Sequence, residues 1–158
     1  MGAYAVAAHG APRSTGDMDV FIRASPENAR KVWRALRLFG APLTDVTPED
    51  FENPDLIYQI GIQPRRIDVI TGISGVEFQE AWAGRQYFES DGLTVPVIGL
   101  RELLVNKRAS GRHKDLEDVK TLEAIESSQA GPPKSSKVGP SRPARRPSRR
   151  SPSGRSSG

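Results

Sequence analysis

Apolar and polar positions alternate over Asp17-Met18-Asp19-Val20-Phe21-Ile22, the period of two that marks a strand. The spacing then lengthens. Ala29, Val32, Trp33, Leu36 and Phe39 recur at helical intervals with Arg and Lys opposite. Ser25-Pro26 supplies an N-cap and a first-turn proline, and Gly40 supplies a stop. Thr47 to Phe51 reads as a further capped turn. Leu56 to Ile62 and Arg66 to Ile70 are strand-like runs parted by Gln63-Pro64-Arg65, which predicts a hairpin. Gly75 to Ala83 predicts a short helix, and Gln86 to Glu89 and Leu93 to Ile98 predict short extended segments. Leu100 to Ala109 is helical with Leu103 and Leu104 inward, and Gly111 breaks it. A last helix, Lys114 to about Glu126, turns Leu116, Val119, Leu122 and Ile125 to the core. Upstream, Met1 to His9 is a small-residue segment that predicts a short helix, and Gly10 to Gly16 is a loop. This order predicts an α/β domain of the α+β kind over residues 1–126, with a small mixed sheet covered by helices on one side.

Composition changes the picture at Ser127. From there to Gly158 the chain is Ser, Pro, Gly, Arg and Lys with almost nothing apolar, so residues 127–158 are expected to form a disordered basic tail. That tail holds eight of the 23 basic residues and no acid, so the remaining 15 face all 19 acids and the body carries net −4. The basic pI is therefore a property of the tail. Phosphate-based, sequence-indifferent nucleic-acid binding is open to it. The chain has no cysteine, which excludes disulfides and thiolate metal sites. No apolar run approaches a membrane span, and no basic region precedes an apolar one at the start. A cytoplasmic location without membrane association is the expectation.

The chemistry concentrates at three acids. Asp17 and Asp19 share one face of their strand, while Met18 and Val20 are expected to point to the core. Two adjacent carboxylates repel unless a cation sits between them, and a hard divalent ion with oxygen ligands suits them. Alone, Asp-x-Asp is a weak signal. Asp68 strengthens it, because Ile67 and Val69 claim the other face of its strand. If the two strands are neighbours, Asp68 completes a cluster of three. The plainer alternative for Asp68 is an ion pair with Arg65 or Arg66, or exposure at a sheet edge.

Met1-Gly2-Ala3, then Asp17-Met18-Asp19, then Asp68 follow the order of motifs in the nucleotidyltransferase superfamily of the DNA polymerase beta type. That family is marked by an apolar residue with Gly and then Gly or Ser, a gap of about ten residues, an Asp-x-Asp or Asp-x-Glu pair, and a third acid on a later strand. The stretch from Tyr4 to Asp19 resembles small stand-alone bacterial members related to the nucleotidyltransferase toxins of abortive-infection systems, and Asn106 to Val119 is similar to their C-terminal segment. The resemblance covers roughly residues 1–126.

The resemblance implies a metal-dependent transferase that moves a nucleoside monophosphate from an NTP to a hydroxyl acceptor, with Mg²⁺, or Mn²⁺ in its place, as cofactor. Asp17, Asp19 and Asp68 would be the catalytic metal ligands, Asp17 and Asp19 holding both ions and Asp68 the one that activates the acceptor. Gly2 and Ala3 would offer backbone N–H groups to the triphosphate, and Lys107 a mobile charge. Arg13, Ser14 and Thr15 stand in the loop before the aspartates and are further nucleotide contacts by position. Asp118 is a candidate accessory acid, whereas Asp115 reads as a solvated helix start. RNA, a protein or a small molecule would be the acceptor, the basic tail favouring RNA, and an antitoxin the protein partner. His9 and His113 form no expected pair, and Trp33 and Trp82 read as packing residues. Two departures stand out. Ala3 replaces the second Gly or Ser, and the helix and strand that precede the Gly pair in the family are missing, which implies a start further upstream or a truncated copy. The rival readings are an inactive member of this fold that acts as a binding partner, and a nucleic-acid binder that works through its tail.

Overall fold

The computed structural model describes residues 2–12, 16–62 and 64–129. Arg13, Ser14 and Thr15, and the tail from 130 on, lie outside these, and with them the expectations placed there. The described residues form a mixed α and β structure with five α-helices and two small sheets. In chain order these are α1 (Ala3–Ala8), β1 (Asp17–Phe21), α2 (Pro26–Phe39), a 3₁₀ turn (Pro48–Glu52), β2 (Ile57–Ile62), β3 (Arg65–Ile70), α3 (Phe78–Ala83), β4 (Gln86–Ser90), β5 (Leu93–Val97), α4 (Leu100–Ser110) and α5 (His113–Gln129). No helix among the described residues is long and apolar enough to cross a membrane.

Local chemistry accounts for the element ends. The Ser25 hydroxyl accepts from the Asn28 N–H at 3.4 Å, and Pro26 occupies the first helical position of α2. Ahead of the 3₁₀ turn, the Asp50 carboxylate accepts from the Thr47 N–H at 2.7 Å. Gly40 and Gly111 close α2 and α4 at φ 86° and 64°, a left-handed conformation that side chains with a Cβ rarely adopt. Residues 127–129, assigned by composition to the tail, continue α5 as helix.

The larger sheet has the order β1-β3-β2. β3 pairs parallel with β1 and antiparallel with β2 as the expected hairpin. β4 and β5 form a separate antiparallel ribbon instead of joining this sheet. α2 covers one sheet face. There Ala29 and Phe51, both fully buried, pack with Tyr58 and Val69, and Val32, Trp33 and Leu36 flank them. Trp33 also donates its indole N–H to the Val46 carbonyl at 3.3 Å. A second core joins α1, α3, α4 and α5 through Val6, Ala81, Leu103, Leu104, Val119 and Leu122. Phe21 packs against it from the end of β1. The helical cover is therefore not confined to one side of the sheet.

Four expected core positions are not in the core. Met18 and Val20 are 42% and 38% exposed. β1 is an edge strand, and the core under α2 is built over β2 and β3, so the apolar side of β1 is left open. Phe39, in the last turn of α2, is exposed because the core beneath that helix reaches only to Leu36. Leu116 is 42% exposed because Asp115 and Asp118 take the inward positions of α5 beside Val119 and Leu122. Trp82 is likewise more open than a core residue. It stacks on Phe78 at 5.9 Å under the Arg85 guanidinium, and stays 41% exposed.

This rotation of α5 gives an expected outcome. Leu122→Ala should cost about 2–5 kcal/mol in denaturant unfolding and Leu116→Ala under about 1 kcal/mol. Equal costs would contradict the placement of the helix.

Candidate functional site

Parallel pairing sets the geometry. β1 and β3 run in register with Asp17 opposite Arg66 and Asp19 opposite Asp68. Cross-strand partners in a sheet share a face, so Asp17, Asp19, Arg66 and Asp68 project together, away from α2. β2 adds Gln59 opposite Asp68, and its amide donates to Asp68 Oδ1 at 3.3 Å. The three acids singled out in the sequence are brought to one patch of one sheet face.

Arg66 lies among them. Its Nη2 donates to Asp68 Oδ2 at 3.0 Å and to Asp17 Oδ2 at 3.3 Å. Its Nε stands 2.8 Å from Asp68 Oδ1, but the N–H is misdirected, so this buried donor makes an ionic contact without a hydrogen bond. Asp68 is 7% exposed. Asp68 therefore stands opposite Asp19 in the register and is ion-paired to Arg66, the plainer of the two expectations for it.

The N-terminus of α1 closes on the same patch. A Cβ on Gly2 would come within 2.1 Å of Asp19 Oδ2, so glycine lets the backbone stand close to that carboxylate where a larger residue would make it turn aside. Gly2, Ala3, Asp17, Asp19, Asp68 and Lys107 line one cleft of about 470 Å³. Arg66, Gln59, Asn106, Ser110, Arg112 and Lys114 complete its polar wall.

Lys107 is not a mobile charge here. It is 3% exposed, and its Nζ donates to Asp115 Oδ1 at 2.9 Å and Asp118 Oδ2 at 2.7 Å. Gly111 turns α4 into α5 and brings the two acids back onto the lysine. Asp118 is thus joined to the site through Lys107. Asp115, expected as a solvated helix start, is 3% exposed and also accepts from Ser110 at 2.9 Å and Arg112 at 2.6 Å. Burial pushes the Asp115 carboxyl up, but the hydrogen bonds from Lys107, Arg112 and Ser110 and the Lys107 charge outweigh it and hold the group at about 2.

His9 and His113 are apart. His9 Nε2 contacts the Ile98 carbonyl at 2.8 Å, and His113 lies 3.5 Å from Glu117 at the surface.

Does the cluster suit a divalent cation? The donors do, being carboxylate oxygens on one face beside a polar cleft. Among the described residues no three acid or histidine side chains stand close enough together to hold one ion in this arrangement. The guanidinium of Arg66 lies between Asp17 and Asp68.

From the sequence alone, Arg66 is only a rival partner for Asp68, and Asp115 is a solvated helix start. The signal for Arg66 was available, since positions 66 and 68 share a strand face. The signal for Asp115 was its i, i+3 spacing with Asp118 just past the Gly111 turn.

Two outcomes follow for the buried ion cluster. Lys107→Met should lower stability by about 3–5 kcal/mol, because two buried carboxylates lose their counter-charge. Asp115, with its folded value depressed, stabilises the fold above its ordinary value near 3.8, and that stability is lost as pH falls toward about 2. Urea unfolding of the native chain and Asp115→Asn should differ by about 2 kcal/mol near pH 6 and converge near pH 2. A pH-independent difference would show that the carboxylate charge is not what Asp115 contributes.

No protein-family model matches the chain, and no curated protein matches it.

Proposed function

We propose that the chain is a metal-dependent nucleotidyltransferase that transfers a nucleoside monophosphate from an NTP to a hydroxyl acceptor. The fold would then be the nucleotidyltransferase type, with an added β4–β5 ribbon. The observation that carries the reading is the register that sets Asp19 opposite Asp68 with Asp17 on the same face, at a cleft closed by Gly2.

In the reaction, an acceptor hydroxyl oxygen attacks the α-phosphorus of the NTP. The bond to the bridging oxygen breaks, pyrophosphate leaves, and the hydroxyl proton passes to solvent or a carboxylate. Phosphoryl transfer of this kind is governed by positioning and charge neutralisation. Asp17, Asp19 and Asp68 would hold Mg²⁺ or Mn²⁺. When bound, the ion neutralises the phosphate oxygens and lowers the cost of ionising the attacking hydroxyl.

The remaining work belongs to the chain itself. Gly2 and Ala3 present backbone at the cleft wall. Ala3 keeps the N–H that a Gly or Ser would offer there and lacks a hydroxyl. Arg112 and Lys114, on the same wall, are the cations nearest in chemistry to the phosphate contact expected of Lys107. Lys107 itself, locked by Asp115 and Asp118, serves to fix α4 against α5 at that wall. RNA, protein and small-molecule hydroxyls are the acceptor classes to be compared, and an antitoxin is the corresponding protein partner.

The test incubates the chain and Mg²⁺ with NTPs labelled at the α-phosphate, against total RNA and protein. Label should appear on one acceptor class. It should fall by about 100-fold or more in the Asp17→Asn/Asp19→Asn double variant, the size expected from losing several kcal/mol of charge stabilisation. Absence of label from a folded preparation would remove the catalytic reading.

A further inference from the structure

Aromatic rings and guanidinium groups interleave from the end of β1 to the start of β4. Phe78 and Trp82 lie one turn apart on α3, and their rings stack at 5.9 Å and 15°. Phe21 meets Phe78 edge-on at 5.1 Å, and the Arg23 guanidinium lies over the Phe78 ring at 5.3 Å. Arg85 lies over Trp82 at 4.1 Å and over Tyr87 at 5.2 Å, and its Nε donates to the Tyr87 hydroxyl at 2.8 Å. Each cation is thus held against a ring by the ring's own quadrupole.

Packing does not use this array up. Trp82 is 41% and Tyr87 57% exposed. Phe78 and Trp82 also line a cavity of about 340 Å³ between α3 and the first turns of α2. Arg23 and Lys31 stand on its wall, and Glu27, the acid there, is paired to Lys31 at 2.5 Å. Arg23 donates from Nη2 to Gln79 Oε1 at 3.2 Å, while its buried Nε has no hydrogen-bond acceptor among the described residues. A buried donor left in this state on a cavity wall is uncommon and fits an anion that arrives with a ligand. The ligand that suits both halves of the site carries a planar ring to stack and a phosphate to pair. A nucleotide unit has both, whereas an acidic peptide brings charge without the plane.

We propose that the cavity between α2 and α3, with the Trp82–Arg85–Tyr87 array that adjoins it, is a binding platform for single-stranded nucleic acid. A base stacks against Phe78 and Trp82, and its phosphates meet Arg23 and Lys31. Every base offers a π face, so the platform tolerates any sequence. Phe21 stands two residues, about 7 Å, beyond Asp19 on the same face of β1, so a strand held here lies beside the acids. As an acceptor site the platform rests on the transferase reading above and selects RNA among the acceptor classes; as a binding surface it stands by itself.

The test follows tryptophan emission in the full chain, native and Trp33→Phe, the latter leaving Trp82 as the sole indole. The probes are a short oligouridylate, an abasic oligomer of equal length and an oligoglutamate of matched charge. Oligouridylate should quench Trp82 and bind about ten-fold tighter than the abasic oligomer, the size of one stacked base. Oligoglutamate should leave the emission unchanged. By anisotropy, labelled oligouridylate should bind about ten-fold more weakly to Trp82→Ala, recover in Trp82→Phe, and weaken in Arg23→Gln/Lys31→Gln. If Trp82→Ala does not fold, quenching of the native ring decides. Equal affinity for the abasic oligomer, equal quenching by oligoglutamate, or unchanged affinity in folded Trp82→Ala overturns the platform and leaves binding to charge alone, as the basic tail would provide. Quenching by oligouridylate without transfer of label in the assay above supports the platform and removes the transferase reading. Label on RNA without quenching overturns the platform and leaves that reading standing.

Discussion

The register between β1 and β3 is the constraint on which the site depends. Side chains alternate along a strand, so a slip of one residue would carry Asp68 to the face under α2, opposite Met18 or Val20. What fixes the register is the other face. Val69 is buried beside Tyr58 and Ala29, and a slip would exchange it for a charged group inside that core. Apolar packing under α2 thus holds three carboxylates in line on the opposite side, without any direct contact between the two sets.

A second cluster of charge, Lys107 with Asp115 and Asp118, lies at another wall of the cleft, and its energetics differ. Asp17 and Arg66 are partly open and Asp68 is buried beside them, so the Arg66–Asp17 attraction is moderated by solvent. Lys107, Asp115 and Asp118 are almost sealed, and the cost of removing three charges from water is met only because each has close partners. The outer cluster is suited to exchange of partners and the inner one to permanence. This contrast is why Lys107 is better placed to set the angle between α4 and α5 than to reach for a ligand.

Much of this was legible in the sequence. The Ser25-Pro26 cap, the Gly40 and Gly111 stops and the hairpin around Pro64 are local signals, and the elements lie where those signals put them. The three acids could be named because a charged residue among Ile and Val in a strand has few explanations. The misread positions all depended on tertiary neighbours. Met18 and Val20 follow an apolar alternation, but among the described residues no helix buries the edge they occupy. Leu116 fits a helical stripe that two acids displaced, and no local rule ranks an Asp above a Leu for the core unless its lysine is already known to be there. The chemistry of Lys107 was visible, while its confinement was not.

The two apolar cores differ in how far along the chain their members lie. The one beneath α2 is assembled from residues between Ile22 and Val69, whereas the other ties Ala5 and Val6 to Val119 and Leu122. Contacts of such long span must close large loops and so form late in folding. Gly2 and Lys107 belong with the long-span unit and Asp68 with the short-span one, while β1, which carries Asp17 and Asp19, meets the first through Phe21 and the second through the adjoining Ile22. Partial opening of the long-span unit would dismantle one wall of the cleft while the carboxylates kept their register.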